Sequence, residues 1–282
     1  MHKNKTFYQK TTIELKGKVL GSAKPLVMGI INLTPDSFYE GSRKQTEHEI
    51  LETSAKMLKE GADILDLGAY SSRPNAENIS AEEEWNRMQD ILPKLSTEFP
   101  EAIISVDTFR ASVAEKAIHN GADIINDISG GTLDSEMFAL VAKLNCPYIM
   151  MHMKGTPQTM QSLAQYDDLV KEVIEFFEVR IKQLHQYNFN KIIIDPGFGF
   201  AKDAMQNFEL LSKMSELQTL GMPILAGLSR KSMIYKTLGI SAAEALNGTT
   251  ALNMVALQQG ATILRVHDVK EAVECIKLYS YL

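Results

Sequence analysis

The chain has 282 residues, 45% of them apolar and 23% charged, with a formal net charge of -6. These are ordinary values for a folded globular protein, and the acidic balance gives no reason to expect nucleic acid or an anionic membrane as partner. Two distant cysteines, Cys146 and Cys275, match no metal-ligand spacing, so they read as inert core thiols in a reducing, cytoplasmic setting. The polar, lysine-rich start has no apolar stretch like that of a signal peptide, and no run is long enough to span a membrane.

Residues 11–21 read as a short hairpin turning at Lys16-Gly17-Lys18. The whole of 1–282 reads as one domain, with residues 1–24 as an N-terminal hairpin extension. Residues 26–31 form the first buried strand, ending at Asn32, and a loop runs on to Gly41. A helix is predicted over 46–60, stopped by Gly61, then a strand over 64–67 and a long loop over 68–80. A helix over 81–99, a strand over 103–106 ending at Asp107, and a helix over 110–120 follow. The strand at 124–125 ends at Asn126, and after a helix over 137–144 the strand at 148–151 ends at His152. A long helix over 166–187 leads to Ile192-Ile193-Ile194, a β-branched run suited to a strand buried on both faces. Asp195 ends that run and Pro196-Gly197 turns the chain. The remainder reads as a helix over 204–220, a strand over 224–226, helices over 231–238 and 242–259, a strand at 263–264 ending at Arg265, and a closing helix over 269–281.

Eight strands alternating with helices in a chain of this length predict a (β/α)8 TIM barrel; a doubly wound open sheet is the alternative. An internal echo supports repeated units: Gly61-Ala62-Asp63, Gly121-Ala122-Asp123 and Gly260-Ala261-Thr262 each stop a helix and begin a strand. Asp63 and Asp123, at strand starts, are expected to be structural. Asn32, Asp66, Asp107, Asn126, His152, Asp195 and Arg265 all fall at strand ends. In a barrel those ends meet at one mouth, where this fold keeps its chemistry.

The mouth divides into two kinds of group. Asp107, Asn126 and Asp195 offer acceptors and an amide suited to a flat, guanidine-like edge, with Phe198 and Phe200 as apolar walls, although Asp195 alone could equally cap the next helix. The segment Ser71-Ser72-Arg73, the segment Ser229-Arg230-Lys231-Ser232 and the run Arg265-Val266-His267 offer cations and hydroxyls suited to phosphate. Asn32 is a neutral oxygen that could serve a hydrated Mg2+. Lys231 sits beside Arg230 on a loop, a poor setting for a Schiff-base lysine.

These residues fall in ordered motifs. Met28-Gly29-Ile30-Ile31-Asn32-Leu33-Thr34-Pro35-Asp36-Ser37-Phe38 resembles the first signature of the dihydropteroate synthase family, and Asp66-Leu67-Gly68-Ala69-Tyr70-Ser71-Ser72-Arg73-Pro74 its second. Ser105-Val106-Asp107-Thr108, Ile125-Asn126-Asp127-Ile128, Met151-His152-Met153, Asp195-Pro196-Gly197-Phe198-Gly199-Phe200, Ser229-Arg230-Lys231-Ser232 and Arg265-Val266-His267-Asp268 complete the set. The second signature departs from the usual pattern: Ala69-Tyr70 replaces Gly-Glu, and Ser72 replaces Thr.

The resemblance implies a folate-pathway transferase that condenses 6-hydroxymethyl-7,8-dihydropterin diphosphate with 4-aminobenzoate, releasing diphosphate. By the family pattern Asp107, Asn126, Met151, Asp195 and Lys231 hold the pterin, with Asp107, Asp195 and Lys231 also carrying the chemistry. Ser72, Arg265 and His267 sit on the diphosphate, and Asn32 binds Mg2+ with it. Phe38, Arg73, Pro74, Phe200 and Ser232 shape the aminobenzoate site. The family also implies a homodimer acting on small molecules, with no nucleic-acid or membrane partner. A corrinoid-dependent methyltransferase shares the pterin contacts but has no need of diphosphate cations, and a silent pterin-binding paralogue finds its only support in Ala69-Tyr70.

Overall fold

The computed structural model describes residues 11–22, 24–33, 43–71 and 78–282, with side chains in the first helix described from residue 47. The expectations placed on Phe38, Ser72, Arg73 and Pro74 lie outside the described residues. The chain opens with a two-stranded antiparallel hairpin, β1 (Ile13–Leu15) and β2 (Lys18–Leu20). Its turn needs two left-handed residues, and Lys16 and Gly17 supply them with φ of 46° and 73°.

Strands and helices then alternate: β3 (Leu26–Asn32), α1 (Arg43–Glu60), β4 (Ile64–Gly68), α2 (Ala81–Asn86), α3 (Ile91–Glu98), β5 (Ile103–Asp107), α4 (Ala111–His119) and β6 (Ile124–Asp127). After these come α5 (Met137–Leu144), β7 (Tyr148–Met151), α6 (Leu169–His185), β8 (Ile192–Asp195), α7 (Ala204–Ser212) and β9 (Leu225–Ala226). The chain finishes with α8 (Ser232–Leu238), α9 (Leu246–Gln258), β10 (Ile263–Val266) and α10 (Val269–Tyr279). The eight strands from β3 onward are parallel, in the order β8-β7-β6-β5-β4-β3-β10-β9. A bridge between Ile194 and Ile224 brings β8 to β9, so the sheet closes on itself as a TIM barrel.

Side chains alternate in and out along each strand. Met28, Ile64, Ile103, Ile124, Ile149, Ile193, Leu225 and Ile263 point inward and pack as one apolar layer. Ile13 and Leu20 of the hairpin join that layer, so the hairpin plugs the barrel at the end where the strands begin. Lys16 and Lys18 secure it through Asp123 (2.8 Å) and Asp63 (2.6 Å), which also accept from the backbone N–H of Ile104 and Val27. Both acids at strand starts are structural, as their position implied. The outward residues, such as Leu65, Ile104, Ile125 and Leu264, form the core shared with the helices.

The Gly-Ala echo has one geometry. Gly61, Gly121 and Gly260 take φ of 104°, 104° and 95°. The next alanine's N–H returns to a carbonyl five residues back, Met57, Ala117 and Ala256 respectively, as in a Schellman cap.

Three helices differ from expectation. The helix predicted over 81–99 is two, α2 and α3, because Pro93 has no N–H for the carbonyl of Gln89 and its ring crowds that position. The helix predicted over 204–220 gives way after Ser212 to a 3-10 turn, Met214–Leu220. Met214, Leu217 and Leu220 are all buried at a spacing of three, which a 3-10 helix aligns on one face and an α-helix does not. The helix predicted over 242–259 begins as a 3-10 turn held by the Ser241/Glu244 capping box before α9 starts.

Candidate active site

One step along each strand from the apolar plug, the inward layer turns polar. Asp66 follows Ile64, Ser105 follows Ile103, Asn126 follows Ile124, Asp195 follows Ile193 and Arg265 follows Ile263, each by two residues. Met151 takes the same place on β7 after Ile149. The next step up carries Asn32, Gly68, Asp107 and His267. Strand register and a period of two thus deliver a ring of polar side chains to the barrel mouth.

The ring is tied together. Arg265 Nε donates to Asp66 Oδ2 at 2.6 Å, and its Nη2 donates to Asp107 Oδ2 at 3.0 Å. The Asn126 amide donates to both oxygens of Asp66 at 3.4 and 3.2 Å. Asp66 is fully buried, and Asn126 and Asp195 nearly so. Burial pushes Asp107 above the usual carboxylate range, with Arg265 opposing and Asp66 adding to the rise. Burial would lower Arg265, but Asp66 and Asp107 hold its guanidinium above its ordinary value.

Asp195 accepts the Gly197 N–H at 2.8 Å, and burial raises its pKa against the opposing charges of Lys231, Arg265 and Lys202. Lys231 donates to the Phe198 carbonyl and stands 5.0 Å from the centre of the Phe200 ring. Burial brings its ammonium down to about 8, with Asp195 working the other way. Gly227 is the hub of this side: a Cβ there would lie 3.8 Å from Lys231 Nζ, 3.9 Å from Asp195 Oδ2 and 4.0 Å from Arg265 Cβ. Gly68 plays a similar part opposite, where a Cβ would lie 3.9 Å from Asp107 Oδ2 and 4.0 Å from Asn32 Oδ1. Each glycine leaves room for a ligand against charged groups.

Around the rim, Ile128, Met151, Met153, Met160 and Ala201 form an apolar cluster with Phe109, Leu133 and Phe200 against it. His267 is exposed, with Nδ1 2.9 Å from Ser229 Oγ, and Ser232 begins α8 directly after Lys231. Asn32, Asp107, Asn126, Met151, Asp195 and Arg265 therefore share the inner face of the barrel's upper end, with Lys231, Phe200, His267 and Ser232 on the loops and strand end above it.

Four expectations are corrected. His152 does not face the mouth; as Met151 points inward its neighbour must point out, and it meets Lys202 behind the β8 loop. Phe198 is no wall for a ligand, being fully buried in the outer core, so Phe200 alone of the pair lies at the rim. Arg230 is turned to Asp268 through Nε and Nη2, both at 2.8 Å, and is a structural clasp. The acidic and cationic halves are also not separate, because Arg265 and Lys231 stand among the carboxylates.

Asp66 and Lys202 carry more than the sequence assigned to them: Asp66 is the anchor of Arg265, and Lys202 lies under the β8 loop. A period-two count from Ile64 would have turned Asp66 inward; Lys202 had no comparable signal. Tyr70, where the family pattern has Glu, packs edge-on to Phe109 at 5.1 Å, lies under the Arg110 guanidinium and accepts from Gln158 at 2.9 Å. A cleft of about 390 Å3 lies beside the segment after β7 and the helix α6, lined by His152, Met153, Lys154, Glu172, Phe176 and Arg180.

Comparison with known proteins agrees with this geometry. The family model described as pterin binding enzyme matches residues 28–267. The dihydropteroate synthase of Synechocystis sp. is 43% identical over 255 residues, covering 89% of this chain and 88% of that protein. A crystal structure of Yersinia pestis dihydropteroate synthase with a sulfonamide drug complex superposes with a TM-score of 0.88 at 37% identity, covering 96% of this chain and 98% of that one. The Xanthomonas albilineans enzyme in complex with 7,8-dihydropteroate gives a TM-score of 0.83 at 34% identity, covering 96% and 98%.

Proposed function

The chain belongs to the pterin-binding enzymes, as a transferase of the dihydropteroate synthase family, and on that premise we propose how its mouth performs the condensation of a dihydropterin diphosphate with 4-aminobenzoate. The observation that carries the reading is the convergence of Asp195, Lys231 and Arg265 on the space beside Gly227. A heterocycle that donates N–H groups and leaves as a diphosphate needs carboxylates and cations within one molecule's length, and few other ligands do.

In this reading Asn126, fixed by Asp66 through its amide nitrogen, turns its carbonyl oxygen to the pterin edge. Asp195 and Asp107 accept from that edge, Met151 supports the ring face, and Lys231 donates to it. A buried carboxylate with a raised pKa binds a donor-rich ring well, because the ligand supplies the hydrogen bonds that water no longer can. Arg265 contributes Nη1, which takes no part in its pairs with Asp66 and Asp107, to the departing diphosphate, and the family pattern assigns His267 and Ser72 to the same group. Phe38, Arg73, Pro74, Phe200 and Ser232 are assigned to the aminobenzoate, with its carboxylate toward the start of α8.

The family implies Mg2+, and the donor set fits it. Mg2+ keeps several waters and takes one or two protein oxygens plus phosphate, and Asn32 Oδ1 faces the same space beside Gly68 as Asp107. Asn32 would hold the ion, which when bound would neutralise diphosphate oxygens. The chain's own groups do the rest. As the C–O bond to diphosphate lengthens, positive charge grows on the pterin's exocyclic carbon, and Asp107 and Asp195 in their ionised forms, which Arg265 and Lys231 favour, stabilise it electrostatically. Departure leads and the arylamine nitrogen follows. Holding both reactants in place contributes up to about 7–11 kcal/mol toward the barrier.

The test is diphosphate release from both substrates with Mg2+, together with formation of 7,8-dihydropteroate. Pterin binding without release would support the methyltransferase-like or silent reading instead. Asp195→Asn should lose most pterin affinity; intact binding would remove the pterin assignment. A cytoplasmic homodimer is part of the proposal, joined through the late helices, where Leu238 and Leu278 are exposed at 55% and 66%. Sedimentation at micromolar concentration as a monomer would reject the dimer.

A further inference from the structure

The loop after β8 is gripped by lysines from two directions. Lys231 reaches it from the mouth and takes the Phe198 carbonyl. Lys202, only 4% exposed, reaches it from behind and donates to the carbonyls of Gly197 at 3.1 Å and Phe200 at 3.0 Å. Its remaining contact is His152 Nδ1 at 3.0 Å. Three acceptors meet the three N–H bonds of an ammonium. With Lys202 charged, the set is complete when His152 is neutral with its Nδ1 lone pair turned to the lysine; burial draws the ammonium down to about 7, and Asp195 works against that fall. Burial, then the charges of Lys202 and Lys154, keep His152 well below its ordinary pKa, in keeping with a neutral ring.

The loop would not hold this shape unaided. Gly197, Gly199 and Ala201 have φ of 72°, 83° and 50°, and left-handed backbone is unfavourable for an alanine. Gly197 lies so close to the end of β7 that a Cβ would meet the His152 carbonyl oxygen at 2.1 Å. Asn207 completes the hold, accepting from the Gly199 N–H at 2.7 Å and donating to the Lys202 carbonyl at 3.2 Å. The Tyr166 hydroxyl donates to the Ala201 carbonyl at 2.9 Å.

We infer that Lys202 is a positioning residue for the mouth: by binding the Gly197 and Phe200 carbonyls against His152 it fixes the arc that sets Asp195, the Phe198 carbonyl and the Phe200 ring, and it places a further cation behind the Asp195 carboxylate. Its consequence for turnover rests on the proposed pterin chemistry; its hold on the loop does not. The charged and titratable groups around it are His152 and Lys154 from β7 and its loop, Asp195 from β8, Lys231 from the approach to α8, and Tyr166 from the approach to α6. Asp195 alone among these is an anion that favours the charged lysine, and it is the group most exposed to the loss of that lysine.

The experiment compares wild type with Lys202→Met, which keeps the chain length without donors, and Lys202→Gln, which keeps two donors without charge. Hydrogen–deuterium exchange of residues 197–201 should be about tenfold faster in Lys202→Met, the change expected when hydrogen bonds from a charged donor are lost, and intermediate in Lys202→Gln. In both variants kcat/KM for the pterin diphosphate should fall and its acid limb should move to higher pH, because Asp195 has lost a cation that keeps it ionised. A merely structural role would leave that limb in place. Unchanged exchange, or an unmoved acid limb in a folded variant, overturns the inference. A wild type that releases no diphosphate overturns the functional proposal instead, and the exchange data alone then decide the role of Lys202.

Discussion

Replacing Asp66 by alanine is the sharpest test of how the mouth is held. Asp66 is fully buried and receives Arg265 Nε at 2.6 Å and the Asn126 amide at 3.2 Å. Removing one partner of a buried ion pair costs about 3–5 kcal/mol, because the other charge is left uncompensated. Arg265 retains Asp107 at 3.0 Å and its side chain is 20% exposed, which places this case at the lower end, about 3 kcal/mol. The Asn126 amide loses its acceptor as well, for about 1 kcal/mol. The sum, about 4 kcal/mol, corresponds to a fall in Tm of about 8–16 °C for a chain of this size. Urea denaturation followed by far-UV circular dichroism and by the single tryptophan measures it. Asp66→Asn keeps the shape and an acceptor for Arg265, and should lose about half as much. If Asp66→Ala shifts the midpoint by less than about 1 kcal/mol at unchanged m-value, Asp66 does not anchor Arg265, and the preorganised ring described above is wrong.

Gly197→Ala should all but abolish turnover in a folded protein, since the new Cβ would meet the His152 carbonyl oxygen at 2.1 Å and φ is 72°; steady-state rates near wild type would contradict the proposed loop geometry. Leu20→Ala, in the plug at the far end of the barrel, should cost about 2–5 kcal/mol of stability and leave both KM values unchanged, read by denaturation and kinetics on one preparation. Lys231 titrates at about 8 when folded and at its ordinary value of 10.5 when unfolded. Between those pH values the unfolded chain binds the extra proton, so stability rises with pH relative to Lys231→Met. Pterin diphosphate binding should fall over the same range as the ammonium is lost. Calorimetric titration and melting across that window must therefore move in opposite directions, and parallel trends would refute the assignment of Lys231.

The parts of this molecule that could be read in advance are those set by local repetition. Gly61, Gly121 and Gly260 announced helix ends because a left-handed cap followed by a small residue admits few alternatives. Asp107, Asn126, Asp195 and Arg265 were legible as one group because strand ends in a barrel converge whatever the distance between them in the chain. What escaped depended on which side of a strand a residue takes, or on a partner far away in sequence. Met151 ends β7 and His152 directly follows it, with opposite destinations, and only the inward sequence Ile149, Met151 separates them. Pairing Asp66 with Arg265 spans 199 residues and needs the last strand, β10, seated beside β3. That ordering has a functional consequence: this part of the mouth exists only when β10 has joined β3, β4 and β5, so the acids and Arg265 come together in one step. In the proposed function Arg265 serves both substrate groups, held by Asp66 and Asp107 through Nε and Nη2, with Nη1 outside those pairs. A substitution that frees Arg265 from Asp66 should therefore weaken pterin and diphosphate together, whereas changes at His267 should weaken only the diphosphate side.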